Sequence, residues 1–103
     1  MTERSASTEL KREIKDEFAV SIFNEDDGTD VKIGANGGTR IGEVIDEMYD
    51  DFGLKHDSKD RLRCANERGI DVFQFRTLTM REYLQKGHCP RLHWKFAAET
   101  GGA

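Results

Sequence analysis

One stretch near the middle of the chain repeats its apolar residues at the spacing of a helix, and it constrains the fold more than any other feature. Counted from the first, the apolar positions fall at offsets of three, four, seven and eleven: Ile41, Val44, Ile45, Met48 and Phe52. This spacing predicts an amphipathic helix that packs one face on an apolar surface. Thr39 is a residue type that caps helix N-termini. Gly53 occupies the position where a left-handed residue ends a helix, and Leu54 can close that end with a hydrophobic contact.

Alternating apolar and polar residues before this helix predict a hairpin. Phe18, Val20 and Ile22 face one side of an extended segment, the period-two pattern of a strand. A cluster of turn residues follows at 24–29, and Val31 and Ile33 then resume the alternation. Two such strands joined by a short glycine-containing loop are typical of a hairpin.

After the helix, the pattern predicts three further extended segments and one short helix. These segments are residues 61–65, residues 70–75, which form a short fourth strand or an irregular extended segment, and residues 92–96. Thr77 or Thr79 is predicted to cap a short helical turn that Gly87 ends. The order is strand, strand, helix, strand, strand, short helix, strand. It predicts an α+β fold in which one curved sheet carries the main helix on one face.

The length of the chain predicts one domain with one modest core. It has 103 residues, which is enough for a single hydrophobic core and too few for two. The periodicities predict that thirteen residues share this core: Val20, Ile22, Val31, Ile33, Ile41, Val44, Ile45, Met48, Leu62, Leu78, Tyr83, Leu92 and Trp94.

Charge and cysteine content bound the class of protein. The net charge is −4, with acidic and basic residues mixed, which argues against nucleic-acid and membrane-surface partners. No apolar run approaches the ~20 residues that cross a bilayer. Cys64 and Cys89 do not suggest a disulfide framework, so we expect reduced thiols in a cytoplasmic, monomeric protein. His88, Cys89 and His93 lack the usual zinc spacing, so no metal is predicted.

The two ends of the chain differ from the middle. Residues 1–16 carry only Leu10 and Ile14 as spaced apolar residues, so we expect a mobile arm. Residues 17–96 are the predicted folded domain, and residues 97–103 the predicted flexible tail. This tail closes on Gly101 and Gly102, followed by Ala103. Paired glycines there add no stability to a domain, so they indicate either a chain end that enters a narrow slot or a soft terminus.

The order of elements, together with this tail, resembles the ubiquitin-like protein modifiers. The resemblance covers residues 17–102 and is strongest between Arg61 and His93. It rests on residues 61–65, on Arg76-Thr77-Leu78, Tyr83 and Gln85-Lys86, and on Leu92-His93. The ending Thr100-Gly101-Gly102 and the N-terminal arm are similar to those of SUMO. The chain resembles in particular the bacterial modifiers encoded beside their own enzymes in phage-defence operons.

The resemblance implies a ubiquitin-like β-grasp roll and a role for the tail. A peptidase would remove Ala103, and an activating enzyme using ATP and magnesium would act on the carboxylate of Gly102. The tail would then pass through a thioester to a lysine of a target protein, with a conjugating enzyme and a deconjugating peptidase as further partners. Ala97, Ala98, Glu99 and Thr100 would contact the activating enzyme. The chain itself would be a substrate, with no catalytic residues and no cofactor of its own.

Two alternatives to conjugation stay open at this stage. A sulfur carrier has the same fold and ending but forms a C-terminal thiocarboxylate, whereas an adaptor acts by docking alone. The chain also departs from ubiquitin on its sheet surface. Arg63 and Lys95 match the positions where ubiquitin presents an apolar patch. A charged pair cannot serve as an apolar anchor, so ordinary ubiquitin receptors are not expected to bind.

Overall fold

The computed structural model describes residues 18–98. The predicted arm at 1–16 lies outside the described residues, as does the tail beyond Ala98. The described elements, in chain order, are β1 (Phe18–Asn24), β2 (Asp30–Ala35), α1 (Ile41–Phe52), β3 (Arg61–Cys64), a 3-10 turn (Phe73–Phe75), α2 (Met80–Gln85) and β4 (His93–Ala97). No helix of the described part is long and apolar enough to cross a membrane.

The four strands form one mixed sheet in the order β2-β1-β4-β3. β1 pairs antiparallel with β2 and parallel with β4, and β3 pairs antiparallel with β4. The first strand and the last strand of the chain therefore lie side by side at the centre of the sheet. The predicted α+β class, with one sheet and one main helix, is confirmed.

The main helix runs where its apolar spacing predicts, but its N-cap differs by one residue. Arg40, not Thr39, precedes the first helical residue, and its backbone N–H donates to Glu43 Oε1 at 2.9 Å. The Thr39 hydroxyl instead accepts from the backbone N–H of Asn36, so the preceding turn already uses it. Gly53 ends the helix in the left-handed region, at φ 70°, as predicted. Leu54 stays 39% exposed, so it closes this end only partly.

One hydrophobic core lies between α1 and the inner face of the sheet. Eleven of the thirteen predicted core residues are buried, while Val31 and Leu78 are partly buried and pack against the others. The prediction omitted several buried side chains: Tyr49, Val72, Met80 and Phe96. Tyr49 lies within the periodic stretch of α1, whereas Val72 and Met80 lie outside the clear periodic stretches. Short elements such as α2 are too brief for their spacing to show which side chains are buried.

Of the two forms expected for residues 70–75, the fourth strand does not form: the described structure has one isolated bridge there, between Asp71 and Arg63. Ile70 and Val72 pair with β3, through the Cys64 N–H to Ile70 O bond at 3.0 Å and the Val72 N–H to Leu62 O bond at 2.8 Å. The chain then turns into the 3-10 segment, because the Asp71 carboxylate accepts from the backbone N–H of Phe73. This local bond offers the backbone an alternative to continued sheet pairing.

The expectation of two reduced cysteines is wrong in this structure. Cys64 and Cys89 form a disulfide, with their Cα atoms 5.7 Å apart. Cys64 is the last residue of β3 and pairs with Trp94 of β4, and the turn that carries Cys89 leads directly into β4. The pairing therefore follows from the β3–β4 register. A sequence separation of 25 residues gives no sign of this proximity.

Candidate functional site

The candidate site is the end of the sheet from which the chain continues into its diglycine ending. β4 lies between β1 and β3, and its last residue, Ala97, is buried. The strand thus runs one residue further than predicted, and Ala97 belongs to the sheet. Glu99, Thr100, Gly101, Gly102 and Ala103 lie outside the described residues.

A carboxylate in the β1–β2 turn holds the point where the chain leaves the sheet. Asp26 Oδ2 accepts from the backbone N–H of Ala98 at 2.8 Å. One residue earlier along the turn, the backbone N–H of Glu25 donates to the Phe96 carbonyl at 2.9 Å. These two bonds fix the position and direction of the chain just before its last five residues. Sequence analysis missed Asp26, because its contact depends on the parallel pairing of β1 with β4.

The turn that carries Asp26 is itself well defined. Asn24 donates its N–H to the Thr29 carbonyl at 2.7 Å, and Gly28 takes the left-handed conformation that closes the turn, at φ 76°. The Asp27 carboxylate accepts from the Thr29 hydroxyl at 2.7 Å, and this bond lowers the pKa of Asp27. The anchor for Ala98 therefore stands on an ordered turn.

Arg63 and Lys95 lie opposite each other on the outer face of the sheet. They are direct partners in the antiparallel β3–β4 register. Both contact Glu25: Arg63 Nη2 lies 3.1 Å from Glu25 Oε1, and Lys95 Nζ lies 4.0 Å from Glu25 Oε2. Like charges on directly opposed residues repel, and the shared carboxylate offsets that repulsion. All three side chains are part-exposed, so the contribution of these ion pairs to stability is small.

The outer face is cationic in a chain that is acidic as a whole. Its strand residues include one carboxylate, Asp30, and four cationic side chains: Lys32, Arg61, Arg63 and Lys95. Phe23 lies beside Lys95 in the β1–β4 register and is 44% exposed. A shallow depression of about 440 Å³ lies along this face and includes Phe23, Lys32 and His93 in its lining. The face thus offers one aromatic group among mostly cationic side chains, with Asp30 as its direct β2 partner, in place of an extended apolar patch.

A wider cleft of about 850 Å³ lies between α1 and β3. Its lining mixes arginines with carboxylates, and its deepest polar contact is the Tyr49 hydroxyl donating to Asp60 Oδ2 at 2.7 Å. Burial, and then this carboxylate, raise the pKa of Tyr49 far above its ordinary value. His56 stacks on Tyr49 with ring centroids 4.0 Å apart and faces Asp46. Tyr49 is therefore neutral, and its hydrogen bond to Asp60 connects α1 to the loop before β3.

The residues considered for zinc do not form a metal site. Cys64 and Cys89 are joined to each other, and the His88 ring stacks on Phe75 with centroids 3.9 Å apart. Within residues 18–98, no three histidine, cysteine or carboxylate side chains are placed to hold a metal ion. Tyr83, which contacts both Phe75 and His88, is buried against Trp94, and burial raises its pKa to about 12. Tyr83 and Trp94 belong to the core, and Phe75 packs against it.

Comparison with known proteins adds no identification. No protein-family model matches this chain, and no curated protein matches it.

Proposed function

We propose that this chain is a ubiquitin-like protein modifier whose Gly102 carboxylate is joined to target amines after removal of Ala103. The observation that carries the proposal is the anchored exit of β4. Asp26 holds Ala98, and Gly101 and Gly102 begin three residues later. A fixed starting point and a side-chain-free end suit a tail that must reach a buried reaction centre in another protein.

The sheet topology supports this proposal. A hairpin, a helix across the sheet, and a last strand placed parallel to the first are compatible with a β-grasp. In that fold the chain leaves from the centre of the sheet. The central position of β4 restrains the exit from both sides, through β1 and β3.

The chemistry in this proposal belongs to partner enzymes. An activating enzyme supplies ATP and magnesium and accepts the tail on a cysteine, and a conjugating enzyme passes it to a lysine. This chain contributes a tail that is long enough to enter the enzyme and narrow enough at its end to fit the reaction centre. Residues 98–102 extend at most ~17 Å when fully stretched. A β-carbon at Gly102 would stand directly beside the reacting carboxylate, which is the reason for glycine there. Glu99 and Thr100 are the side chains available for contacts on the way in.

The cationic outer face supports a distinct set of receptors. Receptors that require a broad apolar patch find Arg63 and Lys95 at its centre, held by Glu25. Phe23 alone supplies a large exposed apolar group among the described strands. We therefore propose that this modifier is read by its own partners. A deconjugating peptidase and a role in phage defence complete the proposal and rest on the resemblance. A cytoplasmic location and a monomeric state are part of it as expectations from the sequence.

The proposal is tested with three forms of the full chain and its cognate activating enzyme. The first form ends at Gly102 and the second at Ala103. The third ends at position 102 and carries Gly102→Val. With ATP and Mg²⁺, the first form should give a thioester on a non-reducing gel. The second should react only after trimming, and the third should not react because a branched side chain crowds the carboxylate.

Two measurements separate the proposal from its alternatives. Circular dichroism should show the same fold for all three forms, because the changes lie beyond the sheet. Equal thioester formation by all three forms would refute the requirement for a terminal diglycine. Intact mass that shows one terminal oxygen replaced by sulfur would identify a sulfur carrier. If no thioester forms with a genuine cognate enzyme, the result would support the adaptor that acts by docking alone.

A further inference from the structure

A small depression opens beside the disulfide, at the end of the sheet opposite to the tail exit. It has a volume of about 270 Å³, and its lining includes Cys64, Cys89, Asn66, Arg91 and His93. In the β3–β4 register, Cys64 pairs with Trp94 whereas Arg61 pairs with Ala97. Three strand residues, or roughly 10 Å, therefore separate the disulfide from the exit. The depression takes no part in the function proposed above.

The charge of this depression favours an anionic ligand. Its lining contains one arginine and one histidine and no carboxylate. Arg91 is exposed, and none of the carboxylates within residues 18–98 forms an ion pair with it. An unpaired guanidinium beside a disulfide raises the local concentration of negatively charged thiols.

The turn that holds Cys89 is strained. Leu92 donates its backbone N–H to the Cys89 carbonyl at 3.1 Å and has φ 54°, a left-handed conformation that is costly for a leucine. The side chain of Leu92 is buried in the core, which holds it there. Both cysteines are nearly covered, with Cys64 4% exposed and Cys89 1% exposed, so we expect thiol exchange to require this turn to open.

The structure also accommodates the reduced pair. Cys89 Sγ lies 3.4 Å from the His93 carbonyl oxygen, so a thiol at Cys89 has an acceptor for its proton. Cys64 is the slightly more exposed residue of the pair and has no such acceptor among the described hydrogen bonds. The two cysteines are thus unequal: Cys64 is suited to exchange with an outside thiol, and Cys89 to resolve the product.

We propose that Cys64 and Cys89 form a redox-exchange site for anionic low-molecular-weight thiols of the glutathione class, which enter beside Arg91. A glutathione thiolate attacks Cys64 Sγ and the Cys64–Cys89 bond breaks. The electron pair goes to Cys89 Sγ, which takes a proton from solvent. A second glutathione thiolate then attacks the glutathione sulfur of the mixed disulfide. Oxidised glutathione leaves, and the Cys64 thiolate is protonated.

Reversal of these steps, with oxidised glutathione as the oxidant, restores the disulfide. Disulfides in a reducing compartment are usually transient or redox-sensing. The site therefore reconciles the disulfide with the proposed cytoplasmic location.

The test measures reduction of the full-length protein by two reagents that differ in charge. Reduced glutathione is anionic and dithiothreitol is neutral, and released thiols are followed by alkylation and intact mass. Arg91→Glu should slow reduction by glutathione about three- to tenfold at low ionic strength, and less in high salt. It should slow dithiothreitol less, because the attacking thiolate of dithiothreitol carries one negative charge and that of glutathione about two. Lys59→Glu, an equal charge change on another exposed residue that does not line the depression, should leave both rates unchanged.

A second pair of variants tests the assignment of the two sulfurs. In excess oxidised glutathione, Cys89→Ser should accumulate a mixed disulfide at Cys64, and Cys64→Ser should form far less at Cys89. Equal modification of both variants would overturn that assignment. Equal slowing of both reagents by Arg91→Glu would overturn the role of the depression. Recovery of two free thiols from unmodified protein held in excess oxidised glutathione would overturn the site itself.

Discussion

Reduction of the Cys64–Cys89 bond should lower stability by an amount set by the loop that it closes. The two cysteines are 25 residues apart. The loop-closure entropy for that length gives about 3.5 kcal/mol at 25 °C. For a domain of this size, each kcal/mol shifts the melting temperature by about 4–8 °C. The reduced protein should therefore melt roughly 14–28 °C below the oxidised protein.

The assay is thermal unfolding by circular dichroism with and without a thiol-free phosphine reductant. The double variant Cys64→Ala/Cys89→Ala is the matched control, and its melting temperature should not respond to the reductant. Both proteins should unfold in one transition, so that the difference can be read as a free energy. A shift below about 5 °C in the unmodified protein would refute the reasoning. It would mean either that residues 64–89 keep residual structure in the unfolded ensemble or that the disulfide strains the native state.

Three further predictions concern the packing of α1 and the ends of the chain. Val44→Ala should destabilise the domain by about 1–3 kcal/mol in urea unfolding, because Val44 is only 1% exposed; an unchanged midpoint would mean that α1 packs through another face. Gly42→Ala should lower the free energy of unfolding by about 1–2 kcal/mol despite the better helix propensity of alanine, because the new Cβ would lie 3.2 Å from the Arg76 carbonyl oxygen. In the same assay, Gly37→Ala should cost roughly 0.5 kcal/mol or less, because its Cβ meets only the mobile end of a side chain. A chain that begins at Asp16 should melt within a few degrees of full length, since the removed residues carry few apolar groups; a large drop would place Leu10 or Ile14 in the core.

Much of the fold follows from periodicity, and the exceptions share a physical cause. The helix at 41–52 and the strands around it were predictable because long amphipathic segments repeat their pattern several times. The N-cap at Arg40 was not predictable, because Thr39 can bond either forward to the helix or backward to Asn36. The 3-10 turn at Phe73–Phe75 was missed because the Asp71 carboxylate starts a turn within an apolar run.

The candidate site was predictable only in part. Gly101 and Gly102 stand out in the sequence, and the opposition of Arg63 and Lys95 follows from strand alternation once the register is known. Long-range contacts had no local signal. Asp26 meets Ala98 across 72 residues, and Cys64 meets Cys89 across 25. Such pairs depend on which strands become neighbours, and one sequence without relatives does not give strand order.

The parallel pairing of β1 with β4 separates the two ends of the domain. Ser21 pairs with His93 and Asn24 with Phe96, so both strands run towards the same end of the sheet. Phe18 begins β1 near the opposite end of the sheet. Measured along the strands, about seven residues, or ~23 Å, separate Phe18 from Ala97. A fluorescent label, an affinity tag or a whole protein fused directly to Phe18 would therefore start at the end of the sheet remote from Ala98. Such a fusion would leave the surroundings of Ala98 open.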